Sequence, residues 1–204
     1  MSSMQIDRPA FYAAARTHVA KTLSKSQIEG FEEIFDVWDG VPHYDLLEWL
    51  AYILATAWHE TGRRMQPVRE SFAKSDAQAY QRVSKYCADN NKKNYAARHA
   101  NGHSYYGRGY VQLTHGVNYI RAGKELGLGS ALYDDPDRVL DVGMGARIIV
   151  EGMVEGWFTK YDLTDFFSRG EQEWYNARQI INRFDKASTI AQYGKDFLAC
   201  LEYA

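Results

Sequence analysis

Apolar residues fall at Ile28, Phe31, Ile34, Phe35 and Trp38, the three-and-four spacing of a single helix face. The Ser24 to Gln27 stretch in front of them has the capping-box pattern of a hydroxyl followed three positions on by an amide, and Asp39, Gly40 and Pro42 close the element. The next apolar run, LLEWLAYILATAW from Leu46 to Trp58, is apolar nearly all round. That pattern predicts a helix buried on all sides and therefore central, opening at Asp45 with Glu48 as its box-like partner. Gly62 is a plausible stop signal, which leaves Glu60 in the last turn or just beyond it.

Residues 84–104 are polar and irregular, and the Asn101-Gly102 pair marks a turn. In YVQLT, residues 110–114, strand-like alternation points Tyr110, Gln112 and Thr114 to one face and Val111 and Leu113 to the core. Helical patterns then return in VNYIRAGKELG, PDRVLDVGMGARIIVEGMVEGWF, EWYNARQIIN and ASTIAQYGKDFLACL. The sum is a mainly α (α+β) protein with one small strand-bearing region, whose polar face is the expected wall of a cleft. With 4 Pro in 204 residues, no repeat and no low-complexity tract, there is no obvious linker, so residues 1–204 read as a single domain.

Composition removes some classes of function. Hydrophobic residues at 46% and charged residues at 25% describe an ordinary soluble globule. A formal charge of −2 gives no support to nucleic-acid binding through phosphates. Cys87 and Cys200 could make one bridge at most, which fits folding in a reducing compartment. The N-terminal MSSMQIDRPAF has no apolar core of a secretory signal, and the longest apolar run contains Glu48 and falls short of the ~18 residues of a membrane span. The expectation is a protein made in the cytoplasm, without stable membrane insertion.

The candidate chemistry lies in AWHETGRRMQPVRES, which carries Glu60 at the end of the buried run and Glu70 a short loop later. The plain reading pairs both with Arg63, Arg64 or Arg69. The functional reading starts from burial: a carboxyl next to Trp58 at the end of an apolar helix has its charged form disfavoured, as suits a proton donor, while a second carboxylate in a more polar setting stays ionised. Two carboxylates in unequal environments are the minimum for cleaving a glycosidic bond. Other motifs fail. His59-Glu60 does not extend to HExxH because Arg63 stands in the fifth position, and His99 and His103 are separated by the Asn101-Gly102 turn, so no metal site is expected. GRGYVQ has Gln112 where a dinucleotide loop needs glycine. The basic NNKKNYAARH stretch reads as a solvated loop that could touch an anionic polymer. Tyr105, Tyr106, Tyr110 and Tyr119 could be core aromatics, but clustered with Gln112, Thr114 and Asn118 they are read as a sugar site.

HETG at 59–62, QPVRE at 66–70 and YYGRGYVQLTHGVNY at 105–119 resemble glycoside hydrolase family 19, the chitinase family that also includes phage and bacterial lysozyme-like endolysins. DPDRVLDVGMGARIIVEGMVEGWFT and ARQIIN resemble the C-terminal half of its phage-type members, and the likeness spans roughly residues 43–200. The resemblance implies a lysozyme-like bilobed helical fold with a small β element lining a cleft. It implies Glu60 as general acid, Glu70 as general base and Thr114 as a partner in holding the attacking water. Gln112, Asn118, Tyr119 and Asn182 become sugar-binding residues, joined by Tyr106 from the aromatic cluster, although Arg183 and Phe184 stand where the family usually has glycines. The expected protein is a monomeric, cofactor-free inverting glycosidase of the endolysin type. It would cleave β-1,4 bonds of peptidoglycan, with chitin as the alternative substrate and a lytic transglycosylase or a non-catalytic wall-binding module as rival readings. As an endolysin it would wait in the host cytoplasm for release to the cell wall.

Overall fold

Asp7 starts the first helix by accepting the Ala10 amide at 2.9 Å, and Pro9 follows in the first turn, where a missing N–H costs nothing. This helix, α1 (Arg8–His18), had no clear apolar face in the sequence, since it buries only Phe11 and Ala15. Helix α2 (Lys25–Gly40) opens with the expected reciprocal capping box of Ser24 and Gln27 and buries Phe31, Ile34, Phe35 and Trp38. The computed structural model describes residues 5–41 and 46–204, so the expected start at Asp45 and the stop at Pro42 lie outside the described residues. Helix α3 (Leu47–Glu60) buries every residue from Trp49 to Trp58, as an all-round apolar run requires. Each large aliphatic side chain so buried, such as Leu50 or Ile53, contributes about 1.5–3 kcal/mol.

The chain forms two compact units, one of Met1–Met65 with Ile149–Ala204 and one of Gln66–Ile148. In the first, α3 packs against α8 (Ala187–Leu198), and Phe11, Phe31, Phe35, Trp58 and Phe197 form an aromatic cluster. Nearer the start of α3, Trp49 donates to the Phe167 carbonyl at 3.2 Å and Tyr52 packs on Phe167 and Trp174. Phe167 belongs to a two-residue hairpin, β3 (Phe167–Ser168) with β4 (Glu171–Gln172).

In the second unit β1 (Val68–Arg69) pairs antiparallel with β2 (Arg108–Gly109), Val68 opposite Gly109 and Arg69 opposite Arg108. Around this ladder stand α4 (Asp76–Asp89), α5 (Gly116–Glu125) and α6 (Ala131–Asp134). Helix α4 was not legible because its buried stripe is only Ala79, Val83 and Cys87, too narrow and too small to stand out. The chain returns to the first unit at Ile149, within α7 (Val142–Val154).

Three sequence expectations need correction. YVQLT is not a strand: Gly109 at φ 88 and Gln112 at φ 53 reverse the chain, and Arg108 and Leu113 close the turn with reciprocal backbone bonds of 3.2 and 2.8 Å. Val111 and Leu113 are buried as expected, but Tyr110 is buried too, because a turn does not alternate faces as a pleat does. The PDRVLDVG helix is broken at Asp141, whose extended backbone separates a 3-10 turn, Pro136–Leu140, from α7. EWYNARQIIN is reduced to the 3-10 turn Asn176–Ile180. Both cysteines are buried as free thiols, and no described helix is long and apolar enough to cross a membrane.

Candidate active site

Glu60 is the last residue of α3, and the backbone just after it fixes where the side chain sits. Arg63 N–H donates to the Trp58 carbonyl at 2.7 Å and Gly62 N–H to that of His59 at 3.0 Å, with Gly62 at φ 58. This doubled closure is the Schellman arrangement, and glycine supplies its left-handed residue without a Cβ clash. A carboxylate at that end lies at the negative pole of the helix dipole, so it needs a cation. Arg178 Nη2 supplies one at 2.7 Å from Glu60 Oε1, with side chains only 3% and 17% exposed. Arg178 is held in turn by its Nε–H on the Asp185 carbonyl at 2.9 Å.

Arg63 and Arg69 have other partners: Arg63 bonds to the Tyr193 hydroxyl and lies over its ring, and Arg69 pairs with Asp137. Arg178 was not singled out from the sequence. The available signal was a cation set between Ala177 and Ile180, both buried, since a buried cation demands a buried anion. Beside Glu60, the half-buried His59 has its pKa pushed below the usual histidine value, first by burial, with the Glu60 charge pulling the other way.

Glu70 follows β1 directly. Its N–H donates to the Gly107 carbonyl at 2.7 Å, extending the β1–β2 ladder by one step, and its Oε2 accepts the Gly107 N–H at 2.8 Å. The Tyr95 hydroxyl donates to Oε1, so each carboxylate oxygen is held by one donor. Burial first, and the bond to Glu70 second, push the Tyr95 pKa far up, so this hydroxyl keeps its proton throughout the working pH range. Immediately after Glu70 the chain turns through two left-handed non-glycine residues, Ser71 at φ 56 and Phe72 at φ 54, each costing roughly 1–2 kcal/mol.

Gln112, Thr114 and Asn118 join Glu70 through a run of contacts. Gln112 Nε2 donates to the Val68 carbonyl at 3.2 Å, and its Oε1 lies so close to Gly107 that a Cβ there would be 2.8 Å away. Thr114 Oγ1–H donates to the Gln112 carbonyl at 2.6 Å, and Asn118 Nδ2–H to the Thr114 carbonyl at 2.7 Å. All four side chains are partly exposed.

Tyr106 and Tyr119 are different. Both are 0% exposed, so neither ring has a face to offer a pyranose, and their expected role as stacking residues is corrected to a structural one. Arg108, buried with them, lies 3.7 Å over the Tyr106 ring, donates to the Tyr119 hydroxyl at 3.2 Å, and pairs with Asp137 at 2.9 Å and Asp76 at 3.2 Å. Burial pushes the Tyr106 hydroxyl up to about 12. The arginine of GRGYVQ thus organises the inside of the second unit.

Asn182 lies in the first unit with Glu60, exposed, its Oδ1 accepting the Arg183 N–H at 2.8 Å. It lines an open cavity of 330 Å³ with Thr159, Lys160, Tyr161 and Gln179. Phe184, where the family usually has glycine, stacks on Tyr175 at 5.5 Å and 14°, both rings 48% exposed. Tyr175 and Phe184 thus offer a stacked aromatic surface to solvent, which the expected tyrosines, all buried, do not. Among the described residues no group of three His, Cys, Asp or Glu is placed to hold a metal ion.

These features define a mainly helical protein with one carboxylate ending a buried helix and a second held by a backbone amide and a tyrosine. The chain belongs to glycoside hydrolase family 19, described as chitinase class I, whose model matches residues 47–163. It is 57% identical over 35 residues to an acidic 26 kDa endochitinase of Solanum lycopersicum, and equally to the acidic endochitinase pcht28 of Solanum chilense. The matched segment is 17% of this chain and 14% of each of those proteins. Among solved structures it is similar to a bacterial family 19 chitinase at 20% identity and a TM-score of 0.38, over 89% of this chain and 93% of that one. It is similar to chitinase C from Streptomyces griseus HUT6037 at 20% identity and a TM-score of 0.38, over 88% and 75%.

Proposed function

We propose that this protein is an inverting glycosidase that hydrolyses β-1,4 bonds in a polymer containing N-acetylglucosamine. The observation that carries the reading is the unequal setting of its two carboxylates, Glu60 on a buried arginine and Glu70 on two neutral donors. Glu60 gives its proton to the glycosidic oxygen as the C1–O bond breaks. In the resting protein Glu60 is paired with Arg178 as a carboxylate, so it takes up a proton from solvent before this step, and afterwards Arg178 again balances the carboxylate left behind. Water attacks C1 from the opposite face and Glu70 takes its proton; exchange with solvent resets both groups.

Thr114 fits the water-holding role for a reason of hydrogen-bond direction. Its own hydrogen is committed to the Gln112 carbonyl, so toward a water it can only accept. A water donating one hydrogen to Glu70 and the other to Thr114 keeps a lone pair for attack. A transglycosylase, whose nucleophile is tethered to the sugar, needs neither group.

Chitin is the substrate that the family's description and the names of the two Solanum relatives support. Peptidoglycan of a bacterial wall, reached by an endolysin released from the cytoplasm, is the second reading, favoured by a basic cavity next to Tyr95. Digestion of chitooligosaccharides and of purified peptidoglycan, with mass analysis and anomer assignment of the products, tests both. Inverted reducing ends, lost in folded Glu60→Gln and strongly depressed in Glu70→Gln, are expected. Retained anomers or 1,6-anhydromuramic ends would overturn the mechanism.

A further inference from the structure

An open cavity of 640 Å³ in the second unit is lined by Lys92, Lys93, Tyr95, Arg98, His99 and His115, and neither Asp nor Glu contributes to its lining. The volume lies in the range that holds a small ligand. Some of this charge is already engaged: Lys92 donates to the Tyr86 hydroxyl at 2.6 Å, and Arg98 pairs with Asp76 at 3.1 Å and donates to the Gly102 carbonyl at 2.6 Å. Asp76 is also shared with Arg108, and Asp89 pairs with Lys85. Lys93 makes no ion pair among the described residues. In a chain of net charge −2, a concave surface with three permanent cations and two imidazoles is a local reversal of sign.

Its position gives the reversal a meaning. Tyr95, which lines the cavity, is the residue whose hydroxyl holds Glu70, so the basic surface begins one side chain away from the proposed base. A chitin chain is uncharged and gains nothing from such a surface. Peptidoglycan carries carboxylates on the peptide attached to its muramic sugar, beside the scissile bonds.

We propose that this cavity is a carboxylate-binding subsite that recognises the peptide-bearing sugar of peptidoglycan; the inference rests on the glycosidase reading and specifies its substrate class. Lys93 and Lys92 supply the charge, and the bound carboxylate registers the strand against Glu70.

The test uses the full-length Glu60→Gln protein, so that nothing is turned over, and two soluble muropeptides of one sequence, with free or amidated carboxylates. Calorimetry should show the free acid binding up to about tenfold more tightly at low salt, an advantage that shrinks as salt is added. In Lys92→Gln/Lys93→Gln, checked for fold by circular dichroism, the advantage should fall to near unity while binding of a neutral chitooligosaccharide stays unchanged. Equal binding of the two muropeptides by the parent, or an advantage that survives in the double variant, would overturn the subsite. Turnover of neutral oligomers by the wild type judges the glycosidase reading separately. Hydrolysis without carboxylate preference sinks only the subsite, and carboxylate binding without any hydrolysis sinks only the enzyme.

Discussion

Gly107 and Glu70 are bonded twice: the Glu70 N–H donates to the Gly107 carbonyl at 2.7 Å, and the Gly107 N–H donates back to Glu70 Oε2 at 2.8 Å. One glycine thus sets both the backbone and the carboxylate of the proposed base. It also has Gln112 against it, with room for a hydrogen and none for a methyl group. Gly107→Ala should therefore displace Gln112 and lower kcat/KM by roughly 10-fold or more, because a displaced catalytic group is felt steeply. Adding Gln112→Ala removes the 2.8 Å contact with Oε1 and leaves only the residue-112 Cβ, 3.1 Å from the new methyl group, so the double variant should be more stable than Gly107→Ala alone. Additive losses of stability in urea titrations would show that the two side chains do not compete.

The Glu60–Arg178 pair is nearly dry, and breaking such a pair leaves a charge with no partner. Arg178→Met should cost about 3–5 kcal/mol of stability, whereas replacing both partners, Glu60→Gln with Arg178→Met, should cost less than the sum of the two single changes. Denaturant midpoints of the four proteins measure this directly. A strictly additive cycle would mean that the pair is not coupled.

How much of this was legible depended on whether a residue's role is local. Helices α2 and α3 were readable because their apolar spacing and caps are contained in adjacent residues, from Ser24 to Trp38 and from Leu46 to Gly62. The turn at Gly109 to Leu113 was misread as a strand because positive φ at Gln112, which is not a glycine, leaves no trace in a hydrophobic pattern. Tyr106 and Tyr119 looked like sugar platforms because their burial comes from Arg108, whose partners Asp76 and Asp137 lie far along the chain. The same distance hid Arg178 from Glu60. Glu60 and Glu70 are candidates that their motifs single out, while the donors that hold Glu70, Tyr95 and Gly107, emerge only from the fold.

Tyr175 and Phe184 form a stacked pair exposed to solvent in the unit that carries Glu60. If this surface supports a sugar ring, Phe184→Ala should raise KM several-fold with kcat nearly unchanged, the signature of binding shared by ground and transition states. The corresponding loss is about 0.5–1.5 kcal/mol. Unchanged kinetics on oligomers of every length would remove the pair from the substrate path.

His59 makes stability depend on pH in a direction that can be worked out. Burial is the largest influence and lowers its pKa below the ordinary 6.5; Arg178 and Lys186 push the same way, while Glu60 and Asp185 oppose them. Above the ordinary value the ring is neutral in both folded and unfolded chains, so it contributes no pH dependence. Between the folded and unfolded values the unfolded chain holds the extra proton, so stability falls as pH drops through about 6.5 and keeps falling until the folded ring also titrates. Carboxylates add their own losses only at lower pH, which leaves a window of about pH 5 to 6.5 in which histidine dominates. In His59→Gln the side chain is neutral at every pH. Thermal midpoints of the two proteins, measured at steps across that window, should run together near neutral pH and diverge on acidification, the wild type losing more. Parallel curves would show that the ring is no harder to protonate in the folded protein than in the unfolded chain, and that its charge is accommodated beside Glu60.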